Sequence, residues 1–433
     1  MKSYALVGTG GRSGMFLESI ARDYSATARV VALCDTNSTR MAYGNSLLAK
    51  HGHAAAATFK AEQFDQMVRD TQPDVVIVCS IDRTHHHYII RAMELGCDVI
   101  TEKPMTIDAE KCQAIIDTVE RTGRNLRVAF NYRYAPHHTK LRELVRDGVI
   151  GNVLSVHFEW LLNTQHGADY FRRWHRDKRN SGGLLVHKST HHFDLVNFWL
   201  NTSPETVYAQ GGLQFYGQDN AEARGVTKFY PRTHGYENAK GDPFALDMAA
   251  SEQLKSLYLE AEQEDGYIRD QSVFSHGINI EDTLGLVVRY RNKAVMTYSL
   301  NAYLPWEGFN VALNGTAGRI EMKVIEKSYV NAGGSKADEG ALKWCEVTVY
   351  PMFDAPYRME IAKGEGGHGG GDNVMLEEMF GEAADDPFKR AANYRDGAMS
   401  ILTGIAGNLS LQTGQAVRID DLPVHLPGGQ PLR

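Results

Sequence analysis

Apolar and polar positions in residues 1–130 fall into blocks that read alternately as strands and helices. Tyr4 to Val7 is an apolar run, Met15 to Arg22 carries apolar residues at helical spacing, and Val30 to Cys34 is a second strand ending at Asp35. Pro73-Asp74 introduces Val75 to Cys79, a continuous apolar run of the kind covered on both faces. His86 to Leu95 is a helix stopped by Gly96, and Cys97 to Thr101 is the next strand. Helix Ala109 to Arg121, ended by Gly123, and strand Leu126 to Phe130 complete the series. This alternation predicts a doubly wound parallel sheet with right-handed crossovers over residues 1–130.

Beyond Asn131 the pattern changes. Helix Thr139 to Asp147 ends at Gly148, and Val153 to Trp160 alternates as an antiparallel strand does. Gly182-Gly183 leads into a histidine-rich helix, Val186 to Leu200. Thr206 to Gln210, Thr283 to Tyr290 and Ala294 to Leu300 read as further strands, the last two joined by a hairpin at Asn292-Lys293. Residues 131–433 are therefore read as a second domain with a largely antiparallel sheet. A polar insertion over 217–277 interrupts it, with one helix predicted over Phe244 to Glu264. Structureless loops of that length are uncommon inside a compact domain, which leaves an active-site cover or a subunit contact, with the cover preferred. Gly366 to Asp372 is a second glycine-rich loop, its Asp372 placed to cap helix Asn373 to Phe380. Asn393 to Leu411 reads as a long packing helix.

Composition narrows the classes. With 43% hydrophobic and 23% charged residues and a net charge of -7, the chain is globular and carries no basic footprint for nucleic acid. Five cysteines lack metal spacing and read as small buried hydrophobes of a reducing compartment. A strand begins at Tyr4 and no apolar stretch is long enough to span a bilayer, so a cytoplasmic protein without a membrane partner is expected.

Gly8-Thr9-Gly10-Gly11-Arg12-Ser13-Gly14 follows the first strand and opens the first helix. Glycines there let the backbone approach a pyrophosphate, and the helix start supplies amide donors. Asp35, at the end of the next strand, suits adenosine ribose hydroxyls and repels a 2′-phosphate; NAD is thus the expected cofactor, with Arg40 keeping NADP as the lesser option. Glu102-Lys103-Pro104 ends the 97–101 strand, and Pro104 biases Lys103 toward extended geometry. A lysine at a strand's carboxyl end beside a nicotinamide can move a substrate hydroxyl proton as hydride leaves. At helical spacing His187, His191 and Asp194 share one face, suited to acid–base work. The same histidine pair has metal spacing, but no glutamate motif accompanies it and no metal is expected. His85 reads as a site contact or as packing, Arg172 and Arg173 as an anion clamp or surface charge, and Trp174 and Trp306 as sugar platforms or core.

These motifs resemble the glucose–fructose oxidoreductase/inositol dehydrogenase (Gfo/Idh/MocA) family. The resemblance rests on the Gly8–Gly14 turn, the Ser80 to His85 loop, Ala92 to Pro104, and Phe130-Asn131-Tyr132-Arg133. It continues through Gly148-Val149-Ile150-Gly151 and Gly182-Gly183 before His191. It implies an α/β fold: an N-terminal Rossmann sheet plus a C-terminal α/β domain with a large, open, mostly antiparallel sheet that builds homo-dimers or homo-tetramers. It further implies NAD or NADP and a small carbohydrate substrate, with Lys103 and His191 as the catalytic pair and His187 beside them. By this resemblance and the motifs above, Gly8, Gly10, Gly11, Arg12, Ser13, Asp35, Ser80, His85, Glu102, Lys103 and Asn131 form the cofactor set. Tyr134, Arg172, Trp174, Lys188, His192, Trp306 and His368 join Lys103 and His191 as the substrate set.

Two positions depart from the family. His187 stands where many members have an aspartate four residues before the catalytic histidine, and Ser80-Ile81-Asp82 replaces Thr-Pro-Asn. The first departure, with Lys188 beside it, favours an anionic substrate or chemistry beyond simple oxidation. An NAD-dependent glycosidase working by transient oxidation is the alternative, with His187, His192, Tyr134 and the His368 loop as sources of an extra acid–base pair. A non-catalytic nucleotide sensor is the third reading.

Overall fold

The first 130 residues form β1 (Lys2–Val7), β2 (Ala28–Asp35), β3 (Ala57–Lys60), β4 (Val75–Val78), β5 (Asp98–Thr101) and β6 (Leu126–Val128). In the structure, a computed structural model, residues 1–327, 344–361, 364, 367–382 and 385–426 are described; Gly366 of the glycine-rich loop lies outside them. The six strands are parallel in the order β6-β5-β4-β1-β2-β3, which puts the crossing point beside the carboxyl ends of β1 and β4. Every residue of β4 is buried, as its unbroken apolar run requires.

The second sheet contains β7 (Val153–Asn163), β8 (Pro204–Gly212), β9 (Thr283–Tyr290), β10 (Val295–Leu304), β11 (Glu307–Gly315), β12 (Gly318–Lys327), β13 (Trp344–Pro351) and β14 (Tyr357–Met359). β15 (Ala392–Asn393) returns to the first sheet, antiparallel to β6, whereas β16 (Val417–Arg418) edges the second beside β8. All pairs in the second sheet are antiparallel except β7 with β10. One face packs on helices Ser189–Leu200 and Tyr394–Thr413. The other exposes Leu154, Tyr208, Val287 and Val295. The predicted hairpin is the β9–β10 turn, where Lys293 takes the left-handed conformation (φ 73°). Among the described residues no helix is long and apolar enough to cross a membrane.

Three sequence expectations are corrected. Helix Val186 to Leu200 is two helices, Leu184–His187 and Ser189–Leu200, broken at Lys188. The break separates His187 from His191 and Asp194, which stay three residues apart on the second helix, and the Ser189 and Thr190 hydroxyls beside it engage Tyr298 and Ser400. Asp194 instead forms a buried bidentate pair with Arg133 (2.7 and 2.5 Å). Helix Phe244 to Glu264 is absent as a unit: Ser251 starts a broken helical stretch that reaches Asp265. Phe244, which the helical spacing had included, packs with Phe215 and Phe274 in an aromatic cluster outside that stretch. Asp372 does not cap a helix, because the helix begins at Gly371 and the carboxylate turns toward His368 and Asn131.

Candidate active site

The glycine turn is shaped by a close approach. Gly8 has φ +85°, and a Cβ on it would lie 2.5 Å from the Ser80 amide nitrogen, so only glycine brings β1 this near the end of β4. Ser13 donates its hydroxyl to the Gly10 carbonyl (2.7 Å), which accounts for serine at the third small position. Asp35 accepts from the Thr9 amide (2.5 Å) and the Asn37 amide (2.9 Å), bracing the turn with lone pairs that would otherwise face a ribose. The Gly11 amide donates to the Tyr258 hydroxyl (2.9 Å). His85 braces the next loop, its ring nitrogens lying 2.8 Å from the Pro104 carbonyl and 3.0 Å from that of Ser80.

Beyond the turn a polar chain lines the floor. Arg12 bonds Glu102 (2.5 Å) and approaches Asp372 (3.6 Å). Asp372 accepts from Asn131 (2.6 Å) and contacts His368 Nδ1 (2.8 Å). Burial raises the Asp372 pKa, but the charges of His368 and Arg12 outweigh it and hold the carboxyl well below its usual range. Asn131 Oδ1 is buried without a hydrogen-bond partner among the described residues, an acceptor left for a bound group.

Lys103 stands at the carboxyl end of β5, its Nζ 3.5 Å from the His187 carbonyl. Burial pushes its pKa down to about 8, Lys188 and Arg12 adding to the effect while Glu102 and Asp82 oppose it. His187 Nδ1 meets Asp82 Oδ2 at 2.5 Å across the domain junction. Burial drives Asp82 up and His187 down, both toward their neutral forms, so one proton lies in that contact. The two departures from the family pattern are thus each other's partners. His191 sits 4.8 Å from the Tyr132 ring, and its Nδ1 has no partner among the described residues. Burial first, then Lys103 and Lys188, push His191 well below 6.5, leaving a neutral imidazole. The Lys188 ammonium lies over the rings of Tyr132 (5.5 Å) and Trp160 (5.2 Å).

Other expected substrate contacts lie elsewhere. The Tyr134 hydroxyl donates to Glu378 and accepts from Arg127 (2.7 Å), anchoring the Gly371–Phe380 helix. Arg172 is buried and donates to the Phe244 carbonyl (2.6 Å), so it clamps the insertion and no anion. His192 stacks on Trp160 (4.0 Å) and bonds Tyr298 (2.6 Å) in the core. Trp174 stacks on His175 at 3.5 Å behind His187, and Trp306 lies by Lys323 of β12. Tyr134, Arg172 and His192 are buried while Trp174 and Trp306 are half-buried, and sequence spacing does not separate core from cleft. Conversely, Asp82 was visible only as a departure from the family pattern, and nothing in the sequence marked Tyr258. Among the described residues no group of three or more His, Cys, Asp or Glu is arranged to hold a metal.

A parallel sheet with a glycine turn at its crossing point, a strand-end lysine and a facing histidine define a dinucleotide-dependent oxidoreductase fold. Residues 2–130 match the oxidoreductase family's NAD-binding Rossmann fold and residues 142–419 its C-terminal alpha/beta domain, so the chain belongs to the Gfo/Idh/MocA oxidoreductases. It is 35% identical over 422 residues to a protein named as an oxidoreductase, YteT of Bacillus subtilis strain 168, covering 93% of this chain and 94% of that one. It is 28% identical over 210 residues to an inositol 2-dehydrogenase of Rhizobium meliloti (48% of this chain, 58% of the relative). It is 25% identical over 389 residues to a glycosyl hydrolase family 109 protein of Shewanella putrefaciens (84% and 74%). Among solved structures, aldose–aldose oxidoreductase from Caulobacter crescentus superposes with a TM-score of 0.62 at 16% identity, covering 96% of this chain and 99% of that one.

Proposed function

We propose that this protein is an NAD-dependent oxidoreductase that moves hydride between nicotinamide and a hydroxyl-bearing carbon of a sugar, sugar derivative or glycoside. The observation that carries the reading is the convergence of Lys103, neutral His191 and the His187–Asp82 pair at the carboxyl end of β5. The dinucleotide would be held by the amides of the Gly8–Ser13 turn and by Glu102 and Asn131, whose free Oδ1 fits a donor of the nicotinamide side. A bound nicotinamide supplies the two-electron acceptor or donor.

The chain's own groups handle the proton. Lys103, with its pKa near 8, is partly neutral at physiological pH and takes the substrate hydroxyl proton. His191, kept neutral by burial and then by its cationic neighbours, donates its ring N–H to the oxygen of the same hydroxyl and orients it. Lys188 stays fixed over Tyr132 and Trp160, a cation suited to a carboxylate-bearing substrate. We place the protein in the cytoplasm as a homo-dimer or homo-tetramer built through the open sheet face.

Two acid–base pairs, His187–Asp82 and His368–Asp372, favour a second reading: a glycosidase that oxidises a ring hydroxyl only transiently. The relative named for glycosyl hydrolase family 109 supports it. Incubation with NAD and a panel of free sugars, sugar acids and aryl glycosides, following NADH and aglycone together, separates the two. Stoichiometric NADH establishes the dehydrogenase; NAD-requiring aglycone release without net NADH overturns it in favour of the glycosidase.

A further inference from the structure

The insertion over 217–277 sends its helical stretch Glu252–Asp265 onto the adenosine end of the dinucleotide turn. Tyr258 caps the Gly11 amide, and its hydroxyl is 3.5 Å from the position a Cβ on Gly10 would take. Asn37 donates to the Ala261 carbonyl (2.9 Å) and Arg40 to that of Leu257 (3.1 Å). Glu264 then reaches the residues that follow β2. Its carboxylate accepts from the amides of Ser38 (2.7 Å) and Thr39 (2.8 Å), the Thr39 hydroxyl (2.6 Å) and the Lys60 ammonium (3.1 Å). Asp265 takes the Arg40 guanidinium (2.6 Å), which also lies against the rings of Tyr258 and Tyr267.

Two amides at a helix start, a hydroxyl, an ammonium and a guanidinium make an anion pocket. In this fold class the pocket after the second strand meets the 2′ position of the adenosine ribose. Here the chain fills it with its own carboxylates. Hydrogen bonds from Thr39 and Ser38 hold Glu264 ionised, its pKa pulled down to about 2. Arg40, the residue that leaves NADP open when the sequence is read alone, is already paired.

We infer that Glu264, with Asp265, is the specificity-determining element for the cofactor: an internal anion occupying the 2′-phosphate pocket and selecting NAD over NADP. The inference rests on the dinucleotide reading above. A 2′-phosphate would have to displace Glu264 and would meet Asp265 and Asp35 with like charge, whereas a 2′-hydroxyl demands none of this.

The test is calorimetric titration of the full-length protein, freed of copurified nucleotide, with NAD and with NADP. Wild type is expected to bind NAD more tightly. The double variant Glu264→Ala/Asp265→Asn releases Lys60 and Arg40, and its NADP Kd is expected to fall at least about tenfold while its NAD Kd moves far less. Glu264→Gln keeps the side chain's shape and removes its charge; it is expected to shift the NADP/NAD ratio the same way by a smaller factor and decides the matter should the double variant fail to fold. An unchanged ratio in variants that still bind NAD overturns the inference and leaves the oxidoreductase reading standing. A wild type that prefers NADP also overturns it. A wild type that binds neither nucleotide overturns the dinucleotide reading and this inference with it.

Discussion

Replacing Lys103 with arginine preserves a cation at the carboxyl end of β5 and removes a group that can lose its proton near neutral pH. A lysine at its ordinary pKa of 10.5 is neutral in about one molecule in 3,000 at pH 7; at about 8 the fraction is roughly one in ten. The shift therefore raises the population of competent base roughly 300-fold. Arginine stays charged throughout this range. In the oxidising direction kcat/KM is expected to rise about tenfold per pH unit below 8 and to level above it. Lys103→Arg is expected to lose about 10²–10⁴-fold in kcat while retaining nucleotide binding. A direct reading comes from isotope-labelled reductive methylation and NMR titration, where one lysine should titrate near 8 and its signal vanish in the variant. Linkage gives a second readout. The folded pKa lies below the unfolded one, so the unfolded chain binds more protons between 8 and 10.5 and stability rises with pH across that window. Lys103→Met removes the penalty and should raise Tm at pH 7, with the gain shrinking toward pH 10.5. A flat pH–rate profile, or an active arginine variant, would refute the argument.

Other perturbations test other parts of the structure. Asp82→Asn and His187→Asp should each impair turnover, while the exchange made together restores a carboxylate–amide contact of the family type. A double-mutant cycle on kcat/KM should then show coupling above about 1 kcal/mol, and simple additivity would rule out the shared-proton pair. Asp194→Ala leaves the Arg133 guanidinium, 3% exposed, with only Asp396 (3.1 Å) as a carboxylate partner, and urea unfolding should show a loss of about 3 kcal/mol, the low end for a broken buried pair. Gly8→Ala forces a methyl against the Ser80 amide at φ +85° and should lower both Tm and NAD affinity; an unchanged thermal scan contradicts the close-approach argument. Light scattering on Val287→Asp, at the open sheet face, should show a smaller particle than wild type; equal masses in both exclude that face as the contact.

Much of the N-terminal half was legible because its signals are local. The apolar run of Val75 to Cys79, the glycine turn and the helix stops at Gly96 and Gly123 act through residues next to them in the chain. The same locality explains the errors. His187, His191 and Asp194 have ideal helical spacing, yet the helix breaks at Lys188 and sets His187 apart from the other two. The spacing over Phe244 to Glu264 is equally regular, but Phe244 finds aromatic partners outside that segment. Tyr134 and His192 carry the right functional groups, and nothing in their neighbours shows that those groups face inward.

The sequence by itself determined five of the six parallel strands, the glycine turn after β1 and the lysine that ends β5, because backbone periodicity and steric need write themselves into adjacent residues. Tertiary structure alone decided the rest. Asp82 finds His187 across 105 positions and Gly11 meets Tyr258 across 247. Lys103 owes its low pKa to burial and to charges brought in from other segments. Polar contacts and desolvation depend on distance in space, and no periodic pattern along the chain encodes that distance.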